Sequence, residues 1–442
     1  MTKQVPDTTS GVVVTKSSPV VVRPSELELA TLPPPSGDTT TVALSSFDRR
    51  VPPISVTSLL VFDRTIDAPV ETIKAALSRA LAHYRPIAGR LDSGAGIITC
   101  TDEGVTFVGA SASCALADAM AAASHQTEDL ALYYPGLLCR DAADPLLMVQ
   151  VTAFACGGFT VGVTSNHVVA DGVGTARFLH AVAELARGVV PSVAPVRRWD
   201  DGADCYSSLT ASPAISAPRS TIEQEARQRL ARVDVVVPSR LIGRIKAAEE
   251  QCTVLEAVMA VLWRCRTRAA TSPSDADRPA LLNFACDMRT LAGAPAGYYG
   301  NCLRLQVVPA TAGAVAGSSI GQLVRLIRRA KEKVPDLLLP GPGGVPPAPA
   351  PRWYEMFNVT DWRNLGLHTV DFGGGVPARV LWHNERTAVP FCVVCPARRK
   401  GTAGRGDDGG VDVSSRFLKP EHADAFLAEL AALADASSPS AE

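Results

Sequence analysis

Apolar positions along this chain switch repeatedly between a period of two and a period near 3.6, so strands and helices interleave. Val20 to Val22 and Ser55 to Phe62 read as strands, separated by a turn-rich stretch containing Pro33-Pro34-Pro35. Val70 to Tyr84 then sets Ile73, Ala76, Leu77, Ala80 and Leu81 at helical spacing behind the start signal Ala68-Pro69. Gly89 to Val108 reads as a hairpin region and Leu116 to Ala123 as a short helix. Leu146 to Phe154 and Phe159 to Ser165 are two strands joined by the turn Cys156-Gly157-Gly158. A helix follows over Gly174 to Leu185, with Phe178, Val182 and Leu185 on one face. Periodicity stops after Trp199, where Asp, Gly, Pro and Ser mark a crossover linker over residues 201–220. Helices at Ser239 to Cys252, Thr253 to Ala269 and Ile320 to Lys333 then surround strands at Ala280 to Ala285 and Leu303 to Val308. Pro340 to Pro351 and Ala403 to Gly410 are low-complexity loops that cannot pack. The pattern predicts a mixed α/β protein of two layered units, residues 18–200 and 221–442, behind a disordered tail of residues 1–17.

Composition narrows the class. With 442 residues, 47% of them hydrophobic and 20% charged, the chain can bury a substantial core. A formal net charge of −1 gives no global field for nucleic acid or an anionic membrane. No apolar run approaches the roughly 20 residues of a spanning helix, and the polar N-terminus carries no signal-peptide core. Eleven cysteines, an odd number and mostly scattered singly, fit a reducing compartment, so a cytoplasmic protein is expected. The close pair Cys392 and Cys395 lies in a strand-like run, FCVVCP, with no second pair or His cluster to make a metal site. At period two its members fall on opposite strand faces.

Candidate chemistry centres on His167-Val168-Val169-Ala170-Asp171-Gly172. A histidine placed where a buried strand stops can take a proton from an alcohol or amine if its tautomer is fixed. Asp171, four residues on, could orient the imidazole or hold the loop. Gly172 permits a tight turn into the helix. The other six histidines, His83, His125, His180, His368, His383 and His422, lie in contexts better explained by packing, capping or exposure.

Several further segments, in order, resemble the plant BAHD acyl-CoA-dependent acyltransferases. That family carries H-x-x-x-D-G near its middle and D-F-G-W-G near its end; here they are His167 to Gly172 and Asp371-Phe372-Gly373-Gly374-Gly375. Leu44-Ser45-Ser46-Phe47-Asp48, Ala82 to Leu91, Val254 to Ala269, Asp287-Met288-Arg289, Tyr298 to Asn301 and Thr360-Asp361-Trp362 are similar to other family segments. The resemblance spans about residues 18 to 432. It implies two chloramphenicol-acetyltransferase-like domains, each a mixed sheet with helices, and a ligand channel between them.

The resemblance also implies roles. His167 is the general base. Asp171 turns away from it and pairs with an arginine, for which Arg289 is the candidate. Asp371 is a structural residue of the second loop, anchored through an arginine. Thr360 and Trp362 stand where the family's channel strand supplies a hydroxyl and an indole N–H to the oxyanion, and Ser45 and Ser46 line the acyl pocket. Thr253 and Arg264 are the candidates for coenzyme A. No metal or cofactor is required, the CoA thioester being a co-substrate, and the enzyme is expected to be a monomer. The acyl group is aromatic, benzoyl or hydroxycinnamoyl. The acceptor is a small amine or alcohol, with an aromatic amine such as tryptamine or tyramine favoured. Gly374 departs from the family's Trp. That change is the sole support for an alternative, a catalytically idle member that binds a ligand or partner. A condensation-type domain would show a doubled histidine, and Asn166 stands there instead.

Overall fold

A strand from late in the chain completes the sheet of the first half. The computed structural model describes residues 13–32, 40–121, 124–136, 138–139, 142–199, 230–338, 353–387, 389–399 and 409–435. Its seven-stranded sheet runs, in spatial order, Val14–Lys16, Val105–Ala112, Leu147–Phe154, Phe159–Asn166, Ser55–Phe62 and Arg379–Trp382, with Val20–Val22 also pairing with Val105–Ala112. Arg379–Trp382 lies antiparallel to Ser55–Phe62, Val380 opposite Leu60 and Trp382 opposite Ser58. The clean division at residue 221 is therefore corrected. The tail to residue 17 is also too long, because Val14–Lys16 is a paired strand. Residues 1–12, the linker 201–220, Pro340 to Pro351 and most of Ala403 to Gly410 lie outside the described residues.

The second sheet has six strands in the order Val235–Val237, Val411–Arg416, Phe391–Val394, Met356–Asp361, Leu281–Asp287 and Leu303–Val308. A small three-stranded sheet joins Thr41–Ala43, Ile97–Thr99 and Arg90–Asp92. On the first sheet, helices Pro69–His83 and Gly172–Ala186 pack against each other. In the second half the helix Val254–Ala270 takes the centre, touched by Ser239–Ala248, Ile320–Glu332 and Ala423–Asp435. Every residue from Glu256 to Thr267 is buried, on all faces of that helix. A helix covered all round belongs in the core rather than at a surface.

Strand Phe159–Asn166 is buried at all eight positions. It is central, paired on one side with Leu147–Phe154 and on the other with Ser55–Phe62. This accounts for its unbroken β-branched and apolar run, since neither face meets water. The core it enters draws on both halves: Val168, Val169 and Ala170 share a cluster with Tyr299, Trp362, Phe372 and Val393. The two cysteines near the end face different cores, Cys395 in this cluster and Cys392 in the second, and both are free thiols. No helix among the described residues is long and apolar enough to cross a membrane, and they hold no metal-ligand cluster.

Candidate active site

His167 follows directly on the central strand, and its backbone N–H donates to Ile54 O (2.9 Å). Its ring meets a residue from the other half of the chain. His167 Nδ1 lies 3.1 Å from Asn301 Oδ1. The Asn301 side-chain nitrogen faces three oxygens: Asp48 Oδ1 at 2.9 Å, His167 O at 2.8 Å and Val168 O at 3.1 Å. Those acceptors fix the NH₂ on that side of the amide and turn its oxygen to the ring. An amide oxygen only accepts, so the network assigns the imidazole proton to Nδ1. Nε2 is left with its lone pair.

Beneath Asn301 sits Asp48, fully buried. Its Oδ1 accepts from the Asn301 backbone N–H (2.9 Å) as well as from the side chain. Its Oδ2 accepts from Ser45 N and Ser45 Oγ, both at 2.9 Å, and pairs with Arg197 Nη1 at 2.9 Å. Burial alone would favour the neutral form of Arg197, but the Asp48 charge outweighs it and the arginine pKa is raised. Tyr298 adds a hydroxyl that donates to Ser45 Oγ (3.3 Å), and burial pushes its phenol pKa up. A carboxylate wholly out of water is tolerable only with this many donors and a cation.

Asp171 points elsewhere. As N-cap of helix Gly172–Ala186 it accepts from Gly174 N (3.0 Å). Arg289 grips it with both terminal nitrogens, Nη1 to Oδ2 at 2.9 Å and Nη2 to Oδ1 at 2.8 Å. Cys302 N donates to Oδ2 at 3.0 Å. Burial opposes the Arg289 cation, yet the Asp171 charge and hydrogen bonds, with Asp287, leave its pKa raised. Every acceptor direction of Asp171 is used, and His167 is not among its partners. Gly172 begins the helix. Gly174 is under a tighter constraint, because a Cβ there would lie 1.9 Å from Tyr299 O. Only glycine lets the helix approach the segment that carries Tyr299 and Asn301.

The remaining sequence candidates fall in three groups. Thr360 is half-buried in strand Met356–Asp361, and Trp362 is buried in the core cluster that holds Val168 to Ala170. No hydrogen bond joins either to His167. Ser45 is hydrogen-bonded to Asp48 and Ser46 is buried beside it. Thr253 spends its hydroxyl on capping helix Val254–Ala270, accepting from Glu256 N (3.3 Å). Arg264 is 5% exposed inside that helix, which takes its guanidinium away from a phosphate in solvent. Asp371 anchors its loop by a different route from the one expected. Its Oδ1 accepts from Gly373 N (2.7 Å) and Gly375 N (2.8 Å), whereas Arg187 donates to its main-chain oxygen.

Among the other histidines, His83 is bonded to Glu28 (3.0 Å) and His180 to Gly366 O (3.0 Å). His422 meets the Tyr354 hydroxyl (3.3 Å), and His368 is exposed. His383 is fully buried, donating from Nε2 to Thr127 O (2.7 Å) and accepting at Nδ1 from Arg232 (3.0 Å). Burial, then the Arg232 charge, push its pKa down to about 3. Sequence reasoning placed Asn301 and Asp48 inside recognisable segments but gave neither a role. The available signal was a polar residue following an aromatic pair and a glycine, Tyr298-Tyr299-Gly300-Asn301, just where a strand begins.

The comparisons with known proteins give the class to which this two-sheet fold belongs, that of the acyl transferases. The model of the Transferase family matches residues 28–430. Acyl transferase 15 of Oryza sativa subsp. japonica is 40% identical over 96% of this chain and 99% of its own. Myricetin 3-O-glucosyl 1,2-rhamnoside 6'-O-caffeoyltransferase AT1 of Crocosmia x crocosmiiflora is 33% identical over 94% and 98%. The crystal structure of vinorine synthase superposes with a TM-score of 0.72 at 21% identity, covering 95% of this chain and 98% of that one. The chain belongs to the Transferase family of plant BAHD acyltransferases and is an acyl transferase.

Proposed function

We propose that the protein moves an aromatic acyl group, benzoyl or hydroxycinnamoyl, from coenzyme A to the amine or hydroxyl of a small specialised metabolite, with His167 as general base. The observation that carries this reading is the Asn301 contact, which protonates Nδ1 and frees Nε2. The acceptor's oxygen or nitrogen attacks the thioester carbonyl carbon while its proton passes to Nε2. Collapse of the tetrahedral adduct breaks the C–S bond. The proton then moves from Nε2 to the thiolate, leaving ester or amide, free CoA thiol and neutral histidine. A positioned base contributes about 10²–10⁴ in rate. Thr360, in strand Met356–Asp361, and Trp362, just beyond it in the core cluster that holds Val168 to Ala170, are assigned to the developing oxyanion. The caffeoyl transfer named for one relative supports the hydroxycinnamoyl class. Ten free cysteines among the described residues support a reducing compartment.

The test is a panel of acyl-CoAs against amines and alcohols, followed by thiol release and product mass. Full activity in a folded His167→Ala protein would remove the base from the mechanism. No turnover of any thioester by the wild-type protein would favour the idle, ligand-binding reading instead.

A further inference from the structure

The carboxylate that holds Asn301 has no step of its own in the reaction, yet its placement decides which way that amide faces. Asp48 begins the helical turn Asp48–Arg50 and is wholly enclosed. Each atom hydrogen-bonded to its carboxylate is a donor: Asn301 N and Nδ2 at Oδ1, and Ser45 N, Ser45 Oγ and Arg197 Nη1 at Oδ2. Ser45 Oγ accepts from Asp48 N (3.1 Å) and from the Tyr298 hydroxyl (3.3 Å), which leaves its own proton for Oδ2. Arg197 is brought here by the pairing of Val196 with Tyr298. Gly300 leaves the cation room, since a Cβ there would lie 2.9 Å from Arg197 Nη1 and 2.3 Å from the Tyr298 hydroxyl.

An amide side chain has two placements, because its oxygen and nitrogen exchange positions when it turns over. In the observed one Asn301 Nδ2 faces Asp48 Oδ1, His167 O and Val168 O, and Oδ1 meets His167 Nδ1. In the reversed one an oxygen would face a carboxylate and two carbonyls, and an NH₂ would face Nδ1. The ring would then carry its proton on Nε2, where an incoming hydroxyl or amine finds no lone pair. The two carbonyls oppose reversal as dipoles. Asp48 opposes it as a full charge out of water, and a hydrogen bond to a charged acceptor is roughly twice as strong as a neutral one. Arg197, on the other carboxylate oxygen, keeps that charge in the fold.

We propose that Asp48 is a positioning residue for acyl transfer: acting through Asn301, it holds His167 in the tautomer whose Nε2 is free. This rests on His167 as the general base and gives the site a second buried carboxylate, one that serves the base where Asp171 serves the loop.

Full-length protein labelled with nitrogen-15 in its histidine rings reports the tautomer directly, because protonated and unprotonated ring nitrogens differ widely in chemical shift. The His167 signals are those absent from His167→Ala. At a pH where the imidazole is neutral, wild type should show a protonated Nδ1, and Asp48→Asn a substantial share of protonated Nε2. Turnover of Asp48→Asn should fall by roughly 10–10²-fold, part of the 10²–10⁴ that a placed base contributes, with little change in the acyl-CoA KM. That variant also strands the Arg197 cation, so Tm should drop by roughly 3–5 °C. Adding Arg197→Gln removes the stranded charge and should return most of the lost Tm while kcat and the tautomer stay altered. Should Asp48→Asn fail to fold, the double variant carries both measurements. An unchanged tautomer or kcat in a folded variant, or turnover that returns with stability in the double variant, overturns the assignment. Full activity in His167→Ala would be a different failure, that of the base itself.

Discussion

Replacing Asp171 by Asn tests whether this carboxylate serves the fold or the chemistry. In the native structure Oδ1 accepts from Arg289 Nη2 and Gly174 N, and Oδ2 accepts from Arg289 Nη1 and Cys302 N. An amide must put its NH₂ at one of those two positions. Whichever way it turns, two donors then face donors, and the Arg289 cation, 8% exposed, loses the charge that pairs with it. Breaking one side of a buried ion pair costs about 3–5 kcal/mol. That is a large fraction of the roughly 5–15 kcal/mol that holds a typical domain together. At about 2.1 cal/mol/K of unfolding entropy per residue, a chain of 442 residues shifts by about 1 °C per kcal/mol, so Tm should fall by roughly 3–5 °C. Thermal unfolding followed by fluorescence gives the shift. Single-turnover acyl transfer, measured well below the new Tm, gives the chemical step, which should drop by no more than roughly tenfold. An unchanged Tm with collapsed turnover would show that Asp171 acts on His167 after all.

Asn301→Ala removes the acceptor that holds His167 Nδ1–H, so kcat should fall by roughly 10–10³-fold with little change in the acyl-CoA KM; an unaltered kcat refutes the tautomer argument. Gly374→Trp restores the family's residue where a Cβ already meets Thr65 O at 2.8 Å and Ile66 Cγ2 at 3.0 Å. Denaturant titration should show a loss of about 1–3 kcal/mol, and a stability gain would mean that a pocket for the indole survives. His383, neutral when folded with a pKa of about 3 against 6.5 when unfolded, gains no proton in the native state as pH falls through that window. The unfolded chain does, so stability drains by about 1.4 kcal/mol per pH unit between roughly pH 6 and pH 3. His383→Gln, which can keep both hydrogen bonds, should flatten that slope in urea melts taken across the range; parallel slopes would count against it.

Much of the local structure was legible because periodicity is local. Strands Ser55–Phe62 and Leu303–Val308 fall where their apolar runs lie, and helix Ile320–Glu332 follows its amphipathic stripe. Helix Ser239–Ala248 stops four residues before the expected Cys252, since Cys252 leads into the next helix's capping box. The strand ending at His167 could be read in the same way. What surrounds the imidazole could not. Asp48 and Asn301 are 253 positions apart, and no spacing rule links a carboxylate near the N-terminus to an amide beyond the chain's midpoint. The oxyanion candidates came from the family resemblance and the CoA candidates from residue type, and neither reveals that Thr253 caps a helix or that Arg264 is buried. Strand Arg379–Trp382 has only four residues, too few to declare which sheet it joins.

That short strand bears on how the protein is made. Leu59, Leu60, Val61 and Phe62 are at most 3% exposed because Arg379–Trp382 closes the outer side of their strand. During synthesis, more than three hundred residues must leave the ribosome between the two partners. Until then Ser55–Phe62 presents an apolar edge with unpaired N–H and C=O groups, the template on which chains aggregate. The first half cannot reach its native surface as a nascent domain, and a fragment ending before residue 379 would keep that edge open. The two halves therefore mature as one product, with the last-made quarter of the chain sealing the first, and slow closure of so distant a contact is built into the order of the strands.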